Sequence, residues 1–172
     1  MNKLIALVLL LATLTACGEV SEENIVASPI YPDVPLLENN CLKLTVKAVD
    51  TVSSGEGVEA NLSLSNICES SQTINLEPTQ TNNLALLNED KELIWELYNR
   101  TDPRPSLPPE IKTFASGDVV EYDLAWSGLD GNGSAVSAGS YFLVGIINTI
   151  AVDEPGQPYR VIQDSLPLTV TP

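Results

Sequence analysis

Apolar and polar residues alternate with a period of two along much of this chain. That pattern restricts the fold more than any other feature, because it suits half-buried strands and no helix. The cleanest run is residues 58–65, where Val58, Ala60, Leu62 and Leu64 take one side and Glu59, Asn61, Ser63 and Ser65 the other. Residues 119–126 repeat it, with Val120, Tyr122, Leu124 and Trp126 opposite Val119, Glu121, Asp123 and Ala125. Residues 140–149 carry β-branched and aromatic residues on both faces, which marks a central strand. Between these two runs, residues 127–139 contain four glycines and no helical stripe. The whole reads as a strand–loop–strand unit near the middle of an all-β domain.

The remaining strands follow from the same reading. Residues 41–50 put Leu42, Leu44, Val46 and Ala48 on one face and Lys43, Thr45 and Lys47 on the other. The turn Ser53-Ser54-Gly55-Glu56-Gly57 separates this strand from 58–65, and the two could form a hairpin. Residues 73–77 and 111–114 are short strands, and Ala115-Ser116-Gly117-Asp118 is the turn before Val119. Residues 84–87 and 93–98 flank Asn88-Glu89-Asp90-Lys91 and read as a hairpin with Leu93, Trp95 and Leu97 on one face. A helix over 84–98 is the rival, since Leu, Glu and Lys favour it; the charged cluster sits where a hairpin needs its turn. A last strand falls within 159–170. Eight or nine short strands without a convincing helix predict an antiparallel, immunoglobulin-like β-sandwich over residues 41–172. Roughly 130 residues suffice for a real core.

Charge removes several function classes. The chain has 23 acidic residues against 8 basic, a net of −15. A nucleic-acid binder needs a basic face to neutralise phosphates, so that role is excluded. The acidity also opposes docking on an anionic bilayer and favours solubility of an exported protein. With no histidine, neither a Ser-His-Asp nor a Cys-His centre nor a His-ligated metal can be built. No lysine stands in a Ser-x-x-Lys pattern, and no cofactor is implied. The expectation is a non-enzymatic protein.

The N-terminus addresses the chain. One lysine precedes the apolar run LIALVLLLA, which is too short to span a bilayer and right for a signal peptide. Leu14-Thr15-Ala16-Cys17 then resembles the lipobox of bacterial lipoproteins. The resemblance implies cleavage after residue 16 and a diacylglycerol thioether on Cys17, with palmitate among its acyl chains. Several chains hold a protein to a bilayer far better than one. The mature protein would keep seven basic residues against 23 acidic, a net of −16. Glycine at position 18 implies the outer membrane facing the periplasm in a Gram-negative cell, and the outer surface of the single membrane in a Gram-positive one. Residues 17–40 hold three prolines, five acids and no clean period, and read as an acylated tether. Its apolar part, 30–37, could lie on the domain as an edge strand.

Beyond Cys17 two cysteines remain, Cys41 and Cys68. Outside the cytoplasm such a pair is usually oxidised, so a Cys41–Cys68 disulfide is expected against the alternative of two buried thiols. Parity complicates it. Opposing Cys41 with Cys68 in a regular ladder would set Leu44 against Ser65, pointing to opposite faces. Either a bulge intervenes, or the strands lie in different sheets, or the bridge sits outside the ladder.

Leu62-Ser-Leu-Ser-Asn66, a Leu-x-x-x-Asp stretch running on to Trp95, the Gly117 turn before a strand ending in Trp126, and Gly139-Ser-Tyr141 together resemble the BsuPI-type intracellular proteinase inhibitor family, over roughly residues 44–148. The resemblance implies an immunoglobulin-like sandwich and a protein that binds a protease. The lipobox and the cysteine pair depart from the type, so the cytoplasmic setting does not carry over.

Three features are candidates for function. Trp95 and Trp126 have inward parity and read as core; Tyr141 fits a tyrosine corner. Asp130-Gly-Asn132-Gly-Ser134 has the oxygen spacing of half a calcium loop, but Ala135 and Tyr141 stand where glycine and glutamate belong, so a glycine-rich turn is expected. Residues 99–110 (NRTDPRPSLPPE) carry four prolines in twelve residues. A loop already stiff loses little entropy on binding. Arg100, followed by Thr101, could enter an acidic specificity pocket, while Arg104 precedes Pro105, a bond that most serine proteases cleave poorly. The plain alternative is a crossover between two sheets. The expected partner is then an envelope protein, with a protease among the candidates, and the membrane is engaged through the lipid. A structural lipoprotein or an accessory subunit offering edge strands for β-augmentation is the competing role.

Overall fold

The computed structural model describes residues 34–99, 107–150 and 159–172, and every regular element among them is a strand. In order these are β1 (Leu42–Lys47), β2 (Thr51–Ser53), β3 (Val58–Asn66), β4 (Gln72–Leu76), β5 (Asn82–Asn88), β6 (Leu93–Glu96), β7 (Glu110–Phe114), β8 (Val119–Trp126), β9 (Gly139–Ile150) and β10 (Tyr159–Thr171). The strand beyond the expected eight or nine is β2, three residues that follow the strand read over 41–50 and overlap the expected turn only at Ser53. One sheet has the order β1-β3-β8; the other runs β2-β10-β9-β4-β7, with β5 also pairing β9 and carrying β6. Pairing between these strands is antiparallel except for β2 on β10, and an isolated parallel bridge joins Leu36 to Val161. The fold is an all-β, immunoglobulin-like sandwich.

Alternation translates directly into the core. Along β3 every even residue from Val58 to Asn66 is buried, with Leu62 and Leu64 fully enclosed. Each such leucine contributes about 1.5–3 kcal/mol by leaving water. The strand β9 is buried on both faces, as its composition predicts. Leu143 and Ile147 join the main core, while Val144 and Ile146 pack with Ala85, Leu87 and Val161 in a second cluster. Between them Gly145 lets the two sheets approach. A Cβ there would meet Leu62 and would lie 2.6 Å from Val46 Cγ2.

The strand–loop–strand unit of residues 119–149 is split between the sheets. Strand β8 is the outer strand of the three-stranded sheet, while β9 is central in the larger one. The loop between them therefore crosses the end of the sandwich. The hairpin β5–β6 forms, and the helical alternative does not. Its register shifts between Leu86 and Leu87, which oppose Trp95 and Leu93. Ile94 is the extra residue of this bulge. The expectation that Leu93 shares a face with Trp95 and Leu97 is thereby corrected: Leu93 packs on the second cluster, Trp95 and Leu97 on the main core.

Strands β3 and β4, paired with β8 and β7, form one ribbon that bends from the small sheet into the large one. Asn66 stands at the bend, 2% exposed. Its Nδ2 donates to the carbonyls of Ser70 (2.9 Å), Ala115 (3.0 Å) and Phe114 (3.1 Å). Its Oδ1 accepts from the Cys68 amide at 3.0 Å. On the facing side the turn 115–118 is closed by the Asp118 carboxylate, which accepts from the Ala115 amide at 2.7 Å, and by Gly117 at a φ of 79°. Only glycine takes that conformation without strain.

The disulfide between Cys41 and Cys68 is present, with a Cα–Cα distance of 5.1 Å. Of the three solutions to the parity problem, the bridge outside the ladder is the one adopted. The regular register ends at Leu42 opposite Asn66, and Ile67 N–H then reaches Cys41 O at 2.8 Å. The bridge thus fastens the start of β1 to the corner just past Asn66. Within the expected tether, residues 34–37 lie along β10: Leu37 N–H donates to Val161 O (2.8 Å), and Val161 N–H to Pro35 O (3.0 Å).

Candidate functional site

Of the residues nominated for function, Cys17, Arg100, Thr101 and Arg104 lie outside the described residues, and the roots of the proline-rich segment lie within them. It leaves the sandwich after β6 and returns at β7. Both strands belong to the larger sheet, so the segment connects two arms of one sheet, not two sheets as expected of a simple crossover. At the outgoing root, Asn83 is 3% exposed and acts as a rung of the ladder. Its Nδ2 donates to Tyr98 O and its Oδ1 accepts from Tyr98 N–H, both at 3.0 Å. The same Oδ1 accepts from the Leu84 amide at 2.9 Å. At the returning root, Glu110 pairs Leu76 and Phe114 pairs Gln72 in the β4–β7 ladder. Tyr98 and Leu107, flanking the segment, are exposed at 41% and 53%.

Next to the outgoing root is an open groove of about 490 Å³ whose lining includes Trp95, Glu96, Asn99, Asp130 and Gly131. Asn99 at the root and the Asp130 loop, far apart in sequence, both line it. Gly131 N–H donates to the carbonyl of the bulged Ile94 at 3.0 Å, which seats the loop on β6. The loop is built around the Asp130 carboxylate. Its Oδ1 accepts from the amides of Asn132 (2.9 Å) and Ser134 (2.8 Å). These bonds, that from Ser134 foremost, hold the carboxyl below its ordinary range. One carboxylate oxygen is thus engaged by the loop's own backbone, which gives residues 130–134 the form of a turn. Tyr141 closes the other end, its hydroxyl donating to Ser137 O at 2.9 Å, which is the corner its position predicts.

The tryptophans hold this end of the sandwich together. Trp126 is 2% exposed, and its indole N–H donates to Leu129 O at 2.8 Å. Trp95 is half-buried, with its ring centroid 6.5 Å from that of Trp126 at a tilt of 52°. Tyr122, facing inward from β8, has its phenol pushed above the ordinary value, first by burial and then by the Glu110 carboxylate.

Two buried polar residues near the roots were not singled out from the sequence. One is Asn83. The other is Glu77, 2% exposed, whose carboxylate accepts from the amides of Thr79 and Gln80 and from the Thr79 hydroxyl at 2.6 Å. Glu77 thereby shapes the turn between β4 and β5. An asparagine or glutamate at a strand end resembles any solvated turn residue, and nothing in the local pattern separates them.

No protein-family model matches the chain, and no curated protein matches its sequence. Among solved structures, it is similar to the sporulation control protein Spo0M from Bacillus subtilis at 13% identity and a TM-score of 0.44. That match covers 78% of this chain, which spans about half (51%) of Spo0M. It is also similar to the CARDB domain of PF1109 from Pyrococcus furiosus, at 9% identity and a TM-score of 0.40, over 79% of this chain and 92% of that domain. A third is the alkylpurine DNA glycosylase AlkC from Pseudomonas fluorescens, at 8% identity and a TM-score of 0.41, over 78% of this chain and 31% of the glycosylase.

Proposed function

We propose that this chain is a lipid-anchored lipoprotein of the bacterial envelope whose sandwich is a non-catalytic binding module of the kind seen in BsuPI-type proteinase inhibitors. Acylation at Cys17 sets the address. The proline-rich segment with Arg100, Thr101 and Arg104 makes the contact, and the partner is an envelope protein, with a serine protease the first candidate.

The observation that carries the reading is the fixing of both roots of that segment. Asn83 clamps the backbone of Tyr98 from two sides, and the β4–β7 ladder holds the return. An inhibitory segment gains from such a frame, because immobilising a loosely held one costs roughly 0.5–1.5 kcal/mol per ordered side chain on binding.

The test is inhibition of a panel of trypsin-like proteases by the wild-type chain and by Arg100→Ala. The reading expects inhibition that the substitution abolishes; inhibition unaffected by it sinks the loop assignment. Loss of a labelled fatty acid from Cys17→Ser tests the anchor separately. If no protease is inhibited and envelope pull-downs return only structural proteins, the scaffolding role replaces inhibition.

A further inference from the structure

The edge of β8 is an unclosed face of the sandwich. Asn66 N–H donates to Asp118 O at 2.9 Å, so even-numbered residues of β3 turn their backbone groups toward β8. By the register that pairs Leu64 with Val120, Leu62 with Tyr122 and Ala60 with Leu124, those three residues of β8 face β3 in turn. The N–H and C=O groups of Val119, Glu121, Asp123 and Ala125 therefore point outward, and among the described residues nothing bonds to them. Two other edges are engaged at single positions. On β1 the outward amide of Val46 is taken by Asp164 Oδ2 at 2.9 Å. On β6 the Ile94 carbonyl is taken by Gly131 at 3.0 Å.

A second observation agrees. The inward side chains Val120, Tyr122 and Leu124 are only half-buried, while their partners Leu64, Leu62 and Ala60 are 0%, 0% and 3% exposed. The apolar layer thus stops one strand short. On the opposite face of the same edge stand Glu121 and Asp123, with Glu59 beside Ala125 on the neighbouring strand.

We infer that β8 receives an extended segment of a partner protein as a fourth, antiparallel strand, and that this segment alternates basic with apolar residues. Basic side chains would oppose Glu121 and Asp123, and apolar ones would cover Val120, Tyr122 and Leu124. A second copy of β8 would set like charges against each other, and a copy's β1 has its outward Val46 amide already bonded to Asp164. The inference is independent of the proline-rich segment.

The probe is a blocked peptide of about nine residues, the reach of β8, alternating Lys with Val or Thr. It is added to the isotope-labelled full-length chain in detergent, and amide exchange is followed by NMR. The expected result is exchange slowed about tenfold or more at Val119, Glu121, Asp123 and Ala125, with other amides unchanged. In an antiparallel addition the residues opposite Glu121 and Asp123 share their hydrogen bonds. N-methylation of the Lys amides should therefore abolish binding, while N-methylation of the Val and Thr amides should leave it. Glu121→Lys with Asp123→Lys should weaken the Lys peptide about tenfold and favour a Glu counterpart. Arg100→Ala should change nothing here. The inference is overturned by absent protection at those four amides, by protection that survives Lys-amide methylation, or by a dimer whose β8 amides are already protected without peptide.

Discussion

Replacing Asn66 by alanine should cost a large share of the stability of this domain. The carboxamide sits at the bend of the β3–β4 ribbon, 2% exposed; its bond to Phe114 O is buried and the others are part-buried. Its two N–H protons serve three carbonyls at 2.9–3.1 Å, and its oxygen takes the Cys68 amide at 3.0 Å. Counting two donated bonds and one accepted, at about 1 kcal/mol net each, gives about 3 kcal/mol. A domain of this kind has only about 5–15 kcal/mol to lose. Asn66→Asp sharpens the test. It preserves size and the bond to Cys68, but sets a carboxylate against three carbonyl oxygens. At pH 7 it should be at least as destabilising as alanine. It should recover as the pH falls and the protonated carboxyl regains a donor. Urea unfolding of the oxidised protein, read by tryptophan fluorescence, measures both. A loss below about 1 kcal/mol for Asn66→Ala with an unchanged m-value, or wild-type stability of Asn66→Asp at pH 7, would refute this account of the corner.

Three further outcomes are expected. Reduction of Cys41–Cys68, which joins residues 27 apart, should add two hydrogens by mass and lower stability by about 3 kcal/mol, since the open chain regains loop entropy. Gly145→Ala should cost about 1–3 kcal/mol in the same assay, because the added methyl meets Leu62 and Val46 across the sandwich. The third concerns alkaline pH. The Tyr122 phenol is raised above its unfolded value of 10.0 by burial and by Glu110. The unfolded chain therefore ionises first, so stability is intact below pH 10 and falls as the pH climbs from there through the folded value. Tyr122→Phe should flatten that alkaline limb in a pH series of urea midpoints.

The strands were legible because a period of two reports directly which side chains leave water. Val58 to Leu64 and Val120 to Trp126 needed no tertiary information to be placed on one face. Sheet membership was not legible. Alternation fixes a face but does not name the neighbour, so β8 and β9, adjacent in sequence, gave no sign of lying in different sheets. The cysteine parity shows the reach of the method: it showed that Cys41 and Cys68 cannot be regular ladder partners, and left the choice among three remedies to packing. Leu93 failed for a related reason. One extra residue, Ile94, reverses parity within β6, and a bulge leaves no mark in the apolar pattern. At the site, Asn83 and Glu77 were invisible because their role lies in which backbone groups they satisfy, and those groups come from residues up to 15 positions away.

The corner at Asn66 also decides where the small sheet ends along its strands. Here β4 and β7, which would have extended the ribbon within the small sheet, are carried into the large one at Asn66, Gly117 and Asp118. The small sheet is left with three strands, and the outer face of its ribbon is β8 alone. The Cys41–Cys68 bridge then fixes the start of β1 to the same corner. A single buried amide and one covalent bond thus hold the place where the ribbon passes from one sheet to the other. Weakening the corner should therefore speed amide exchange in β7 and β8 together, even though the two strands belong to different sheets.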